Sequence, residues 1–108
     1  MKLAILNSLV ITNQGVYKAE KITLMEARKM MFAHETNYES YVGHASSSFV
    51  LEELLGFPVP VNRIRFRQEK YQQALCFKLY DRYMEYKKLT EKELQSVNYD
   101  FFLLTRMD

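Results

Sequence analysis

The sequence predicts a mixed α+β fold (α/β in the broad sense) built on one central mixed β-sheet of about five strands packed with helices. Three observations carry this expectation. Short apolar runs alternate with segments that carry helix-start signals, but the order is not a strict β-α-β alternation. Hydrophobic residues make up 48% of the chain and charged residues 26%, with three Gly and two Pro, a composition of packed domains rather than disordered or fibrous chains. At 108 residues, with no internal repeat or low-complexity linker, the chain reads as one domain over 1–108, and about two-thirds of its unfolded surface can be buried without staples.

Leu3-Ala4-Ile5-Leu6 is a continuous apolar run, so a first strand covers 2–6, with an extension to 11 left open. The Asn13-Gln14-Gly15 turn signal precedes a short strand over 16–21. Thr23 and Glu26 form a capping box for a helix whose Leu24, Ala27, Met30 and Met31 recur at core-facing spacing. Residues 38–43 read as a strand ending at Gly43. Ser46-Ser47-Ser48 opens a second helix through Leu55, which Gly56, Pro58 and Pro60 terminate. A strand over 62–67, a polar turn from Gln68 to Gln73 and a strand over 74–80 read as an antiparallel pair. In the latter, Leu75, Phe77 and Leu79 point one way and Cys76, Lys78 and Tyr80 the other. A short helix over 81–87, a second capping box of Thr90 with Glu93 before a brief helix to about Val97, and a final strand from Tyr99 to Leu104 complete the chain.

Several classes are excluded. One cysteine, Cys76, permits neither a disulfide framework nor a cysteine-based metal cluster, and reads as a buried thiol in a reducing compartment. The apolar stretch after Met1-Lys2 is too short for a signal peptide or membrane span, so a cytoplasmic protein is expected. There is no Gly-x-Gly-x-x-Gly, Walker loop, His-x-x-x-His pair or carboxylate cluster with metal spacing, so no cofactor is expected and phosphodiester chemistry would be metal-independent. A net charge of +2 does not by itself indicate a binder of long nucleic acid.

Gly43-His44-Ala45-Ser46-Ser47-Ser48 is the segment richest in chemistry. Three hydroxyl residues at a helix start place unpaired backbone N–H groups and the positive end of the helix dipole beside one histidine. Such an end attracts anions, and a histidine there can move a proton near neutral pH; a helix cap without chemistry is the competing account. Arg63, Arg65 and Arg67 alternate with Ile64 and Phe66, which makes either a charged solvent face or a cationic floor for a small polyanion. Arg82 and Glu85 stand at i and i+3, as a surface ion pair or as groups aimed at the end of the sheet. His34, at the end of the first helix, reads as structural.

Nearly the whole chain resembles the viral ring nucleases, type III anti-CRISPR proteins that degrade cyclic tetra-adenylate. The likeness is carried by Leu6-Asn7-Ser8, Gly43-His44-x-Ser46-Ser47, Leu54-Leu55-Gly56 through Val61-Asn62-Arg63, Arg82-x-x-Glu85 and Tyr99-x-Phe101-x-Leu103. It implies a two-fold homodimer that holds the cyclic nucleotide across the subunit interface. It further implies that His44 is the general acid for the departing ribose 5′ oxygen while the 2′-hydroxyl attacks, with Arg63 and Arg82 on phosphate and Glu85 orienting the reacting groups. Asn7, Ser46 and Ser47 would position the ligand. The chain departs from the family pattern at Lys78, where Gln is usual, at Tyr86, where Gly is usual, and at Val10, where some members offer a hydroxyl; Lys78 would add a phosphate contact. A non-catalytic sponge for the cyclic nucleotide and a dimeric protein adaptor are the alternative functions.

Overall fold

In the computed structural model, which describes residues 1–80, 92 and 95–108, the chain runs β1 (Leu3–Leu6), β2 (Tyr17–Ile22), α1 (Leu24–Ala33), β3 (Tyr38–Ser40), α2 (Ala45–Leu55), β4 (Gln73–Leu79) and β5 (Tyr99–Arg106). The strands form one mixed sheet in the order β2-β5-β4-β1-β3. β1 pairs in parallel with β3 on one side and β4 on the other, whereas β5 runs antiparallel to both β4 and β2. The expected helix over 81–87, the capping box of Thr90 with Glu93, and Arg82 and Glu85 lie outside the described residues.

β1 sits deepest. All four of its residues are buried, with Leu3 and Ile5 facing one side of the sheet and Ala4 and Leu6 the other. This is why its sequence is continuously apolar rather than alternating. On the first face, Ala27 and Met31 of α1 and Val50, Leu51, Leu54 and Leu55 of α2 pack on Leu3, Ile5, Leu75, Phe77 and Phe101. Phe77 and Phe101 are fully buried with ring centroids 5.2 Å apart, and burial of each such side chain contributes about 1.5–3 kcal/mol. Arg28 Nε donates to the Leu54 carbonyl at 2.8 Å, tying α1 to the last turn of α2. On the second face, Ala4, Leu6, Ala74, Cys76 and Leu104 make a smaller cluster, and Phe66 and Tyr41 cover part of it. Burial pushes the Cys76 thiol up to about 12.

Helix signals in the sequence are met closely. Thr23 caps α1: its Oγ1 accepts from the Glu26 amide at 3.1 Å, and the Glu26 carboxylate accepts from the Thr23 amide at 3.0 Å. Gly56 closes α2 in the left-handed conformation, φ 76°, as only glycine does without strain. His34 caps the other end of α1, with Nδ1 2.9 Å from the Met30 carbonyl, which can only accept, so that nitrogen carries the proton. It is structural, as expected.

Residues 62–67 differ from expectation: they form no strand, and β4 does not pair with them. Both edges of β4 are already occupied, by β1 and β5, so no ladder is open to that segment. Instead the chain after α2 runs along the outside of β3. The Tyr38 hydroxyl donates to the Pro58 carbonyl, Ser40 Oγ to the Pro60 carbonyl and Asn62 Nδ2 to the Ser40 carbonyl, and Val61 bridges to Val42. The chain then lies over the second face, where Phe66 meets Tyr41 at 4.6 Å between ring centroids. The turn from Gln68 to Gln73 is not merely polar surface. Gln68 is buried, its Nε2 donating to the Gln72 and Leu104 carbonyls, and Gln72 Nε2 donates to the Lys2 carbonyl. Side-chain amides thus supply the partners that a ladder would otherwise give.

The capping box gives a direct test of the α1 start. Thr23→Ala should lower unfolding stability by about 1 kcal/mol in urea titrations. The Thr23 backbone N–H, then its hydroxyl, hold the Glu26 carboxyl below the ordinary value of 4.5. That contribution is therefore present above 4.5 and lost as the pH falls below it. The stability gap between the parent and Glu26→Ala should shrink on acidification; a gap independent of pH would show that the carboxylate is not the capping species.

Candidate functional site at the strand ends

β1 and β3 are parallel, so their carboxyl ends leave the sheet side by side, and a crevice opens outside them where the connections diverge. Asn7 follows β1 directly. Tyr41, Gly43 and His44 link β3 to α2, and Arg63, Ile64 and Arg65 come in from the segment that crosses the second face. Together these seven residues line an open cleft of about 770 Å³, within the size range of small-molecule sites. Of the residues expected from sequence, Asn7, His44 and Arg63 meet in this one cleft.

His44 is the N-cap of α2, with extended backbone (φ −125°, ψ 132°), and its ring makes no capping hydrogen bond. The serines therefore do not cap the helix as expected: they fall in its first turn, after Ala45. The Ser48 amide donates back to the His44 carbonyl at 3.1 Å, which leaves the amides of Ala45, Ser46 and Ser47 without intrahelical acceptors at the helix end. Ser47 and Ser48 are buried, Ser48 Oγ donating to the Val59 carbonyl; Ser46 is half-buried, and neither Ser46 nor Ser47 lines the cleft. The imidazole of His44 is exposed and hydrogen-bonds to no other described residue.

Arg63 holds the loop beside this histidine. Its Nε donates to the Gly43 carbonyl at 2.8 Å, leaving the two terminal nitrogens of the guanidinium to the cleft. Gly43 is not a glycine for backbone reasons: among the described glycines only Gly56 has a positive φ, and a Cβ built on Gly43 would meet nothing closer than the Arg63 Cγ at 3.8 Å. Tyr41 forms a wall. Its amide donates to the Ile5 carbonyl, its ring packs on Phe66, and its hydroxyl donates to Glu39 Oε2 at 3.0 Å. Burial, then the bond to Glu39 and the charges of Glu39 and Glu69, push this phenol up, so it remains a donor.

Lys78 lies on the sheet face opposite Leu75 and Phe77, as the strand pattern predicts, but it does not line the cleft. It stands across from Asp100 on β5, with Nζ 5.2 Å from the centre of the Tyr80 ring. Asp100 is held low chiefly by the Tyr80 hydroxyl, at 2.6 Å, then by Lys21 at 3.2 Å and by the charge of Lys78. Tyr41 and Ile64 are the cleft residues that sequence reasoning did not single out as ligand contacts. Arg65 was legible as one of three alternating arginines, whereas nothing in the local sequence marks Tyr41. Arg67 falls in a neighbouring cleft of about 330 Å³ that also takes in Lys2, Glu39, Tyr41 and Arg65.

Arg63 thus has two roles that one variant can separate. Arg63→Ala should weaken binding of tripolyphosphate about tenfold or more, as loss of a charge-assisted contact implies. It should also shift the amide resonances of residues 43 and 44. Parent-like affinity with unshifted amides would show that Arg63 neither faces the ligand nor holds the loop.

The profile of a protein family described as STIV B116-like matches residues 3–101. The uncharacterized protein YddF of Bacillus subtilis (strain 168) is 48% identical over 108 residues, all of both chains. The uncharacterized protein ORF117 of Acidianus two-tailed virus is 30% identical over 109 residues, spanning 97% of this chain and 93% of that one. Among solved structures, B116 of Sulfolobus turreted icosahedral virus superposes with a TM-score of 0.79 over 96% of this chain and 98% of that one; at 18% identity this likeness speaks for the fold. With a matching profile over residues 3–101 and relatives matched over nearly all of their length, one of them a virus protein, the chain belongs to the STIV B116-like family.

Proposed function

We propose that the protein is a metal-independent ring nuclease that binds cyclic tetra-adenylate across a homodimer and cuts it, silencing the type III CRISPR response which that messenger drives. One observation carries the reading: an exposed imidazole at a helix start shares an open cleft with Asn7 and with the guanidiniums of Arg63 and Arg65. The resemblance stated from the sequence adds the substrate and the reaction class. Arg82 and Glu85 complete the scheme as residues carried by that resemblance.

The reaction needs little beyond positioning and charge. The ribose 2′-oxygen attacks the adjacent phosphorus, forming the O2′–P bond as the P–O5′ bond breaks. The hydroxyl proton leaves to water, and a protonated His44 delivers its proton to the departing 5′ oxygen, so the products are a 2′,3′-cyclic phosphate end and a free 5′-hydroxyl. Holding the 2′-oxygen in line is a matter of orientation, and an imidazole acid supplies about 10²–10⁴-fold. Arg63 and Arg65 offer fixed donors to the charge that builds on the phosphoryl oxygens. One cleft provides two arginines and a histidine against four phosphates. Two copies related by a two-fold axis would double these groups and match a symmetric ligand.

With labelled cyclic tetra-adenylate and no added metal, His44→Ala should slow single-turnover cleavage by about 10²-fold or more while retaining binding. His34→Ala, which alters only a helix end, should cleave like the parent. If both variants cleave like the parent, the catalytic assignment is wrong, and tight binding by the parent without product would make it a sponge.

Light scattering at micromolar concentration should give a dimer. A monomer both with and without cyclic tetra-adenylate would remove the shared site.

A further inference from the structure

We infer that the ring of Tyr41, with Ile64 beside it, is the seat for one nucleobase of the ligand whose phosphate meets His44 and Arg63, an inference that rests on the phosphodiester reading above. The cleft has two chemically distinct parts. His44, Arg63 and Arg65 provide charge, whereas Tyr41 and Ile64 provide aromatic and aliphatic surface within the same lining. Ile64 is 53% exposed, an uncovered apolar side chain in a cleft otherwise suited to anions. A bare phosphate would leave that surface wet, and a nucleotide would cover it.

Tyr41 is held for this role from several sides. Its backbone amide is fixed to β1, Phe66 packs against its ring at 4.6 Å, and its hydroxyl is tied to Glu39, which also lies 3.9 Å from Lys2 Nζ. Half-buried Tyr41 contributes to the lining of both neighbouring clefts, so it is a partition between them, braced by Phe66. A pre-ordered aromatic plane loses little entropy on stacking, and any base has a π-face to offer, so such a seat favours nucleotides over bare anions without choosing among bases. Gly43 supports the same geometry. A Cβ there would meet nothing closer than the Arg63 Cγ at 3.8 Å, so the backbone between Tyr41 and His44 is open to close approach by a ligand.

Titration of the protein with AMP and with ribose 5-phosphate, followed by NMR, isolates the base from the phosphate. The parent should bind AMP about tenfold or more tightly than ribose 5-phosphate, with AMP alone shifting the Tyr41 ring protons. Tyr41→Phe, which keeps the ring and loses the tie to Glu39, should retain that preference. Tyr41→Leu should bring the two affinities within about twofold, with the affinity for ribose 5-phosphate unchanged. No preference for AMP in the parent, a preference retained by Tyr41→Leu, or loss of ribose 5-phosphate binding in that variant would overturn the seat. If Tyr41→Leu does not fold, the parent decides: ring protons unmoved by AMP overturn the inference, and moved ones support it. None of these readings involves cleavage, so a parent that prefers AMP yet leaves cyclic tetra-adenylate intact overturns the nuclease reading alone.

Discussion

Four residues, Leu3 to Leu6, set the terms for the rest of the molecule. They are buried on both faces and paired on both edges, so every other element must either flank or cover them. The helices cover one face with a large cluster rich in Leu, Val and Phe. The other face has no helix among the described residues, and the irregular segment that carries Phe66 covers part of it, at the cost of satisfying backbone groups that no ladder serves. Gln68 and Gln72 meet that cost from within the structure, together with Arg106, whose Nη1 donates to the Gln68 carbonyl at 2.8 Å. The cleft follows from the same constraint, since two parallel strands flush with each other must send their connections apart at one end.

What could be read from the sequence was what depends on neighbours along the chain. The Thr23–Glu26 box, the Gly56 stop, the continuous burial of β1 and the two faces of β4 are local patterns of three to seven residues, and each stands as its spacing implies. The segment 62–67 has an alternation as regular as that of any strand, but a ladder needs a free edge, and edge availability is a property of the whole sheet. The serine run misled by one turn for a similar reason. Ser, Thr and Asn compete for the cap position, yet the chain leaves β3 so that His44 takes it and Ser48 bonds across to Val59 instead.

For the site, the histidine was legible as a proton carrier at a predicted helix start and Arg63 as one of three alternating arginines, whereas Asn7 came from the family resemblance alone. Tyr41 was not legible, because its part in the cleft comes from Phe66, twenty-five positions away in number and adjacent in space. Lys78 shows the converse. Its strand face was assigned correctly, yet on that face it stands across from Asp100 and near the Tyr80 ring, and it does not line the cleft. Charge count alone would have put it in the binding surface; the cross-strand register takes it out of the cleft lining.

The two margins of the sheet bear on how copies of the protein can meet. Beyond β3 the strap of residues 58–62 stands in the way of a further strand, fastened through three side chains. At the opposite margin β2 presents Lys18, Glu20 and Lys21 to solvent, the first two 3.1 Å apart, and a charged border of this kind resists recruitment of a further strand. Growth of the sheet from molecule to molecule, the route by which β-proteins form fibres, is blocked at one side and penalised at the other.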